Sequence, residues 1–425
     1  MNASMAHLAT WTISAAAVGG VIIRPRNWPE AWWAVSGAVL LVCLSLISPA
    51  HAVGAVEKGT DVYLFLVGMM LLAELARREG VFDWLAAFAL AHARGSGERL
   101  FFLVYGVGTL VTIFLSNDAT AVVLTPAVYA IAKHAKAPTL PYLLICAFIA
   151  NAASFVLPIS NPANLVVFGE HMPDLRTWLA EFAAPSVVAI VSTYGLLRWT
   201  QRKFLQPQIV ATAVKTSLSV GGRLAGGAIC ITAVVLLIAS MRGWRLGAPT
   251  CVSGLAAWLA ISGVRRVSPW PLVANIAWSI VPLVAGLFVL VQAVDESGAF
   301  APIIEAAGAH AQHEPMTLAL IGGGVVAVAS NLINNLPMGL IGATVAQGAQ
   351  LPVHVMAPIL IGVDLGPNLS ITGSLATILW LVAIRREGEE VSARQFLAVG
   401  CVVMPLSLLL TLATFASLWA LFPNL

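Results

Sequence analysis

Apolar runs of 16 to 25 residues recur from Ala6 to Phe422, separated by short clusters of Arg, Lys, Pro and Gly. A helix needs about 20 apolar residues to cross a bilayer core of roughly 30 Å, so these runs read as membrane spans. The first half offers spans near 8–23, 31–49, 60–77, 141–169 and 176–198; the second offers 222–241, 247–264, 275–293, 354–382 and 395–422. Between the third and fourth span of each half lie a short helix (81–93; 299–310) and a long apolar stretch (98–134; 315–349). Polar residues interrupt both stretches midway, at Ser116-Asn117-Asp118 and at Asn334-Asn335-Leu336-Pro337. Non-helical backbone at that depth is tolerated only inside protein or beside water, so both stretches are expected to be re-entrant hairpins with polar tips. The fourth spans are broken too, at 158–164 and 366–373. The expected fold is an all-α polytopic membrane protein of about ten transmembrane helices plus two re-entrant hairpins, in two inverted-topology repeats.

The repeat is weak in identity and clear in layout. At an offset of 218, Gly68 falls on Gly286, Gly80 on Gly298 and Phe82 on Phe300. At 217, Asn117-Asp118 falls on Asn334-Asn335; at 213, Pro158-Ile159-Ser160-Asn161 falls on Ile371-Thr372-Gly373-Ser374. Residues 1–200 form the expected N-terminal repeat, 201–221 a cytoplasmic linker and 222–425 the inverted C-terminal repeat. The polar stretch around that linker carries Arg198, Arg202, Lys203, Lys215 and Arg223, with Pro207 and Gly221-Gly222 as breakers.

Five crossings per half is an odd number, which sets the halves upside down relative to each other. Eighteen of the 22 Lys and Arg then fall on one side; only Lys58, Arg176, Arg242 and Arg245 fall on the other. The richer side is cytoplasmic by the positive-inside rule. Both termini are expected outside an inner (plasma) membrane, with hairpin 98–134 entering from the cytoplasm and hairpin 315–349 from the exterior.

Composition agrees and narrows the class. Hydrophobic residues make up 59% and charged residues 10% of the 425, against about 25% charged in soluble domains. No Lys or Arg occurs in the first 23 residues, so no basic n-region of a secretory signal is expected. The five cysteines stand singly in apolar segments, with no CxxC or Cys/His spacing for a metal or a disulfide framework. No phosphate-binding GxxxxGK[ST] loop is present, and nothing marks a nucleic-acid partner or a cofactor.

Asp118 is the sharpest chemical signal, because no Lys or Arg lies between Phe101 and Ile131. A carboxylate deep in a membrane costs about 2.5–3.5 kcal/mol on insertion scales and marks a functional site by default. Four polar clusters are expected to converge with it at the midplane, where broken helices free backbone groups and offer half-helix dipoles. The candidate substrate-binding residues are Ser116, Asn117 and Thr120; Ser160, Asn161 and Asn164; Asn334 and Asn335; and Asn368, Thr372 and Ser374. Asp118 and Asp364 are the candidate proton-coupling residues. Asp364, one turn before the break at Gly366-Pro367, also suits cation binding or helix capping.

Asn and Ser commonly serve interhelical packing, but four clusters repeated across both halves exceed that need. Glu74, four residues before Arg78, suits a helix ion pair, and the histidines suit solvated or packed positions near span ends. Lined by amides and hydroxyls without Arg or Lys, such a site fits a neutral hydroxyl-bearing solute or a partly dehydrated cation better than a multivalent anion.

At these residues the chain resembles the arsenite/antimonite efflux permeases of the ion-transporter superfamily. The resemblance rests on Ser116 through Pro126, Ser160-Asn161-Pro162-Ala163-Asn164, Asn334-Asn335-Leu336-Pro337-Met338, and Leu365 through Asn368 running on to Gly373-Ser374-Leu375-Ala376-Thr377. It implies a secondary transporter that extrudes arsenite and antimonite in exchange for protons and confers arsenic resistance. It also implies, as a candidate partner, the separate ATPase subunit with which some relatives pair. Asp364 departs from the Asn that the resemblance implies there. A sodium/proton antiporter of the same superfamily is the alternative reading, since such proteins share the Asn-Asp-Ala-Thr element. An intramembrane aspartyl hydrolase using Asp118 and Asp364 is disfavoured, because an enzyme has no need of an inverted duplicate.

Overall fold

The computed structural model describes residues 3–205, 208–210, 217–266, 268 and 270–421; Pro207, Lys215 and Phe422, named above, lie outside them. The first half begins with α1 (Ala3–Ile23), α2 (Glu30–Cys43), α3 (Pro49–Lys58), α4 (Thr60–Arg78) and α5 (Val81–Ala93). It continues with α6 (Gly97–Leu115), a π-helical turn (Ala119–Leu124) running into α7 (Thr125–His134), α8 (Thr139–Ala152), α9 (Pro162–Phe168) and α10 (Leu175–Leu205). The second half holds α11 (Val220–Met241), α12 (Gly247–Arg265), α13 (Trp270–Ala274), α14 (Ile280–Glu296) and α15 (Ala301–His313). It closes with α16 (Pro315–Ile333), α17 (Asn335–Gly348), α18 (Val353–Leu365), α19 (Leu375–Arg386) and α20 (Ala393–Leu421).

Local chemistry sets these boundaries. Ser48, Ser96 and Ser219 cap α3, α6 and α11, each accepting a hydrogen bond from a backbone N–H three residues on. Arg77 and Arg78 end α4, and Arg385 and Arg386 end α19, where the negative pole of the helix favours cations. Among the described residues seven helices are long and apolar enough to cross a membrane, or nine if the bent pairs α3–α4 (47°) and α14–α15 (83°) each count as one span. The sequence expectation of about ten counted two broken spans as whole. Here they are α8 with α9 and α18 with α19, pieces of 14, 7, 13 and 12 residues.

Two expectations shift in detail. The span near 31–49 ends as a helix at Cys43, and Ser48-Pro49 opens the separate helix α3. The fifth span runs on through Leu205, past the expected end at 198.

The hairpins are α6 with α7 and α16 with α17. Each descending leg has 19 residues. The return leg α17 has 14, about 21 Å at 1.5 Å per residue and short of a roughly 30 Å core.

Equivalent packing recurs in the two halves. α4 lies against α12, and a Cβ at Gly68 would strike the backbone at Thr250 and Cys251. α14 lies against α2, and a Cβ at Gly286 would strike the backbone of Ala34. The two glycines are those matched at offset 218. Buried tryptophans settle their indoles on backbone carbonyls: Trp178 Nε1 donates to Phe155, at the break after α8 (3.2 Å), and Trp380 Nε1 to Leu143 within α8 (2.9 Å).

Candidate functional site

Both hairpin tips turn through the same unusual backbone. Ser116 has φ 91° and ψ 160°; Asn334 has φ 75° and ψ 153°. That region is almost exclusive to glycine and costs about 1–3 kcal/mol for other residues. Local bonds hold it. The Ser116 N–H donates to the Thr112 carbonyl (3.2 Å), and the Leu336 N–H donates to Asn334 Oδ1 (3.3 Å). Asn334 Nδ2 donates in turn to the Thr372 carbonyl (3.2 Å).

The tips therefore correspond at an offset of 218, one residue away from the 217 alignment of Asn117-Asp118 with Asn334-Asn335. In backbone terms Asn117 matches Asn335, and Asp118 matches Leu336. The first return leg starts with the π-helical turn just after Asp118, a feature that often marks functional sites. Valine at position 116 or 334 is expected to cost about 1–3 kcal/mol, while glycine is tolerated. Thermal denaturation of the detergent-solubilised protein, followed by loss of the monodisperse peak, checks the order Gly above Val.

The broken helices consume many of the polar side chains that the sequence marks. Asn164 Nδ2 reaches the carbonyls of Ser154 (2.9 Å), Leu157 (3.2 Å) and Pro158 (3.3 Å), closing the gap before α9. Ser160 accepts from the Leu157 N–H and donates to the Ile113 carbonyl. Ser374 caps α19 at the Thr377 N–H (3.0 Å), as Asn161 caps α9 at the Ala163 N–H (3.0 Å). Thr372 donates to the Asn331 carbonyl and Thr120 bonds Thr112. Asn368 Nδ2 donates to the Phe148 carbonyl (3.1 Å), and its Oδ1 accepts from Asn151 Nδ2 (3.0 Å). That last pair braces the two halves together. Asn151 was missed from sequence; an amide alone within the apolar run 140–153 was the available signal.

Four tip and break residues meet instead at a small central chamber. Asn117 and Asp118 of the first tip, Asn161 before α9 and Asn335 of the second tip line it, with Leu66, Pro162, Ile280 and Val284. Its volume is about 10 Å³, room for about one water. Asn335 Oδ1 is buried without a partner, so the chamber wall offers an open acceptor. Asp118 is the one ionisable side chain in this lining, and among the described residues it has no ion-pair partner.

Asp364 lies behind the wall. Its residue is 1% exposed, its Oδ1 accepts from Asn161 Nδ2 at 2.7 Å, and its Oδ2 has no partner. Asn161 therefore touches the chamber, the start of α9 and Asp364 at once.

Larger cavities flank the chamber. One of about 140 Å³ is lined by Met69, Met70, Glu74, Ser116, Asp118 and Asn275. The other, of about 310 Å³, is lined by Lys58, Asp61, Glu170, Arg245, Gln292 and Gln347. Helix α14 orders all three: Ile280 faces the first cavity and the chamber, Val284 the chamber, and Phe288 and Gln292 the second cavity. The path from Ile280 to Gln292 is about 18 Å at 1.5 Å per residue. Glu74, in the first cavity, pairs with Arg77 through two bonds of 2.6 Å. That corrects the expected partner Arg78: on α4 it is the i,i+3 neighbour that shares the carboxylate's face.

The pattern of the CitMHS family, described as Citrate transporter, matches residues 18–363. The Arsenical pump membrane protein of Escherichia coli K12 is 25% identical over 412 residues, covering 93% of this chain and 95% of that one. Its namesake in Yersinia enterocolitica is 24% identical over the same span. The crystal structure of the YdaH transporter of Alcanivorax borkumensis superposes with a TM-score of 0.55 at 16% identity, over 88% of this chain and 87% of that one. The last likeness speaks for the fold alone.

Proposed function

We infer the function from the premise that this chain belongs to the CitMHS citrate-transporter family: a multi-pass membrane transporter, it extrudes arsenite and antimonite in exchange for protons. The observation that carries this reading is the central chamber, where Asn117, Asp118, Asn161 and Asn335 converge and no Lys or Arg takes part; with room for about one water in this conformation, it must widen to admit the solute. Citrate carries several negative charges at neutral pH and would need cationic or bidentate guanidinium partners. Arsenous acid is a small neutral trihydroxide, and amide groups can hydrogen-bond its oxygens. Relatives named for arsenical pumping over nearly the full chain support the same choice.

In this scheme Asp118 carries the exchanged proton. It lines both the 140 Å³ cavity and the chamber, so one carboxyl group borders the solute's chamber and the cavity beside it. Asp364, tied to the chamber through Asn161, carries a second proton. Residues 1–200 and 222–425 act as inverted repeats joined by a cytoplasmic linker. The matched tip backbones, the matched glycines at 68 and 286 and the matched caps at 161 and 374 support that relation. The protein sits in the inner membrane with the basic side inward, where a separate ATPase subunit, if one joins, would meet it.

Everted membrane vesicles test the reading. Arsenite uptake is expected to follow an imposed pH gradient and an imposed voltage, to ignore sodium, and to be blocked by antimonite but not by citrate. Uptake that tracked the sodium gradient, or competition by citrate, would overturn it.

A further inference from the structure

An apolar crevice of about 400 Å³ runs between α1 and the tip of the second hairpin, floored by Leu290 and Val294 of α14. Trp11, Val18, Gly19 and Ile22 form one wall; Leu332, Pro337 and Ile341 form the other. No charged side chain lines it, and the Trp11 indole is turned onto Ser297 Oγ (2.7 Å). The crevice is continuous with the lipid-facing surface: Leu332 is 72% exposed, and Leu8 on α1 and Val328 on α16 are exposed beside it. A Cβ at Gly19 would meet nothing within 4 Å, so the space is open rather than packed.

Two physical points choose the occupant. Ser14 is the one side chain in the lining with an unpartnered polar atom; a water needs two to four polar partners, so the crevice stays dry, and inside a bilayer the neighbouring material is hydrocarbon. From Trp11 to Ile22 the α1 wall rises about 16 Å at 1.5 Å per residue, close to one leaflet of a roughly 30 Å core. We propose that a single phospholipid acyl chain occupies this crevice and backs the second hairpin's tip, so that the tip faces the chamber through Asn335 on one side and stands on lipid on the other. Any movement of that hairpin away from α1 then exchanges hydrocarbon for protein. The proposal needs only that the chain lies in a bilayer and is independent of the solute carried.

The test uses the full chain reconstituted in vesicles containing a phosphatidylcholine with a diazirine at mid-chain. After irradiation, labelled peptides are mapped by mass spectrometry. Label is expected on segments 11–22 and 332–341. Gly19→Leu fills the crevice and should lower label on 332–341 several-fold, while label on the lipid-facing side of α11 around Ile231 stays unchanged. Should that variant not fold, Ala15→Leu, one turn earlier, is read the same way. Absence of label on 332–341, or label there that the filled variants leave unchanged, overturns the proposal. So does efficient disulfide pairing of two copies through Trp11→Cys, which would assign the crevice to a second chain.

Discussion

With asparagine in place of Asp118, everted vesicles are expected to lose about 50-fold of the arsenite accumulation ratio reached at 100 mV, the worth of one charge in that field. The expectation follows from the chamber's inventory. Asp118 is the only ionisable group among the residues that line it, and asparagine keeps its shape and much of its hydrogen-bonding capacity while removing the exchangeable proton. Binding of a neutral trihydroxide through Asn117, Asn161 and Asn335 should therefore survive within a few-fold. What is lost is the work of the gradient. One charge moving through 100 mV supplies about 2.3 kcal/mol, and at about 1.4 kcal/mol per factor of ten that is a concentration ratio near 50. Loss of that ratio with retained equilibrium binding is the signature of a coupling residue. Undiminished accumulation by the variant would remove Asp118 from the mechanism.

The sequence shows where the chain breaks more clearly than what each broken piece does. Asp118 stands out because an acid in an apolar run has no bland local explanation, and it lies in the chamber lining. The α-helical membrane fold follows from run length alone. Which amides face the solute does not follow, because each break creates unpaired carbonyls and N–H groups that must be satisfied by something nearby. Asn164, Asn368 and Ser374 are spent on that task, whereas Asn335 lines the chamber with its Oδ1 unpartnered; the equally unpartnered Oδ1 of Asn164 lies outside that lining. Side-chain type is the same in both cases; only the tertiary arrangement separates them.

The tip register shows the same limit. Matching letters favours Asn117-Asp118 with Asn334-Asn335, but the backbone turns at Ser116 and Asn334, and φ is not written in residue identity when neither residue is glycine. α3 is hidden in the sequence because Ser48-Pro49, a strong start signal for a helix, sits at the end of an apolar run that reads as one span. The partner of Glu74 depended on a choice between two adjacent arginines, which spacing alone cannot make.

Asparagine at position 364 is expected to leave exchange of arsenite for protons intact while lowering the steady-state ratio reached at 100 mV by about 50-fold, the worth of one charge in that field. Asp364 is buried among the broken helices with one oxygen on Asn161 and the other unpaired. A lasting negative charge there, without a cation beside it, would be costly. A carboxyl group that takes up a proton in one state and passes it on in another would move a second charge per solute. Asn at 364 removes that charge and keeps an oxygen for Asn161, so folding should be little affected.

Asn161→Ala separates the structural share from the coupling share. It removes the cap of α9, worth about 0.5–2 kcal/mol, together with the bond to Asp364, worth about 1–3 kcal/mol when a buried partner is left unsatisfied. If Asp364 only braces the breaks, Asp364→Asn leaves the accumulation ratio at its original value, and Asn161→Ala shows only a stability loss and the weaker arsenite binding of a lost chamber amide. If Asp364 carries a proton, the ratio falls in Asp364→Asn although the fold is intact. In the double variant the two substitutions then act non-additively on coupling, because Asn161 is the one side chain that joins the second acid to the chamber holding the first.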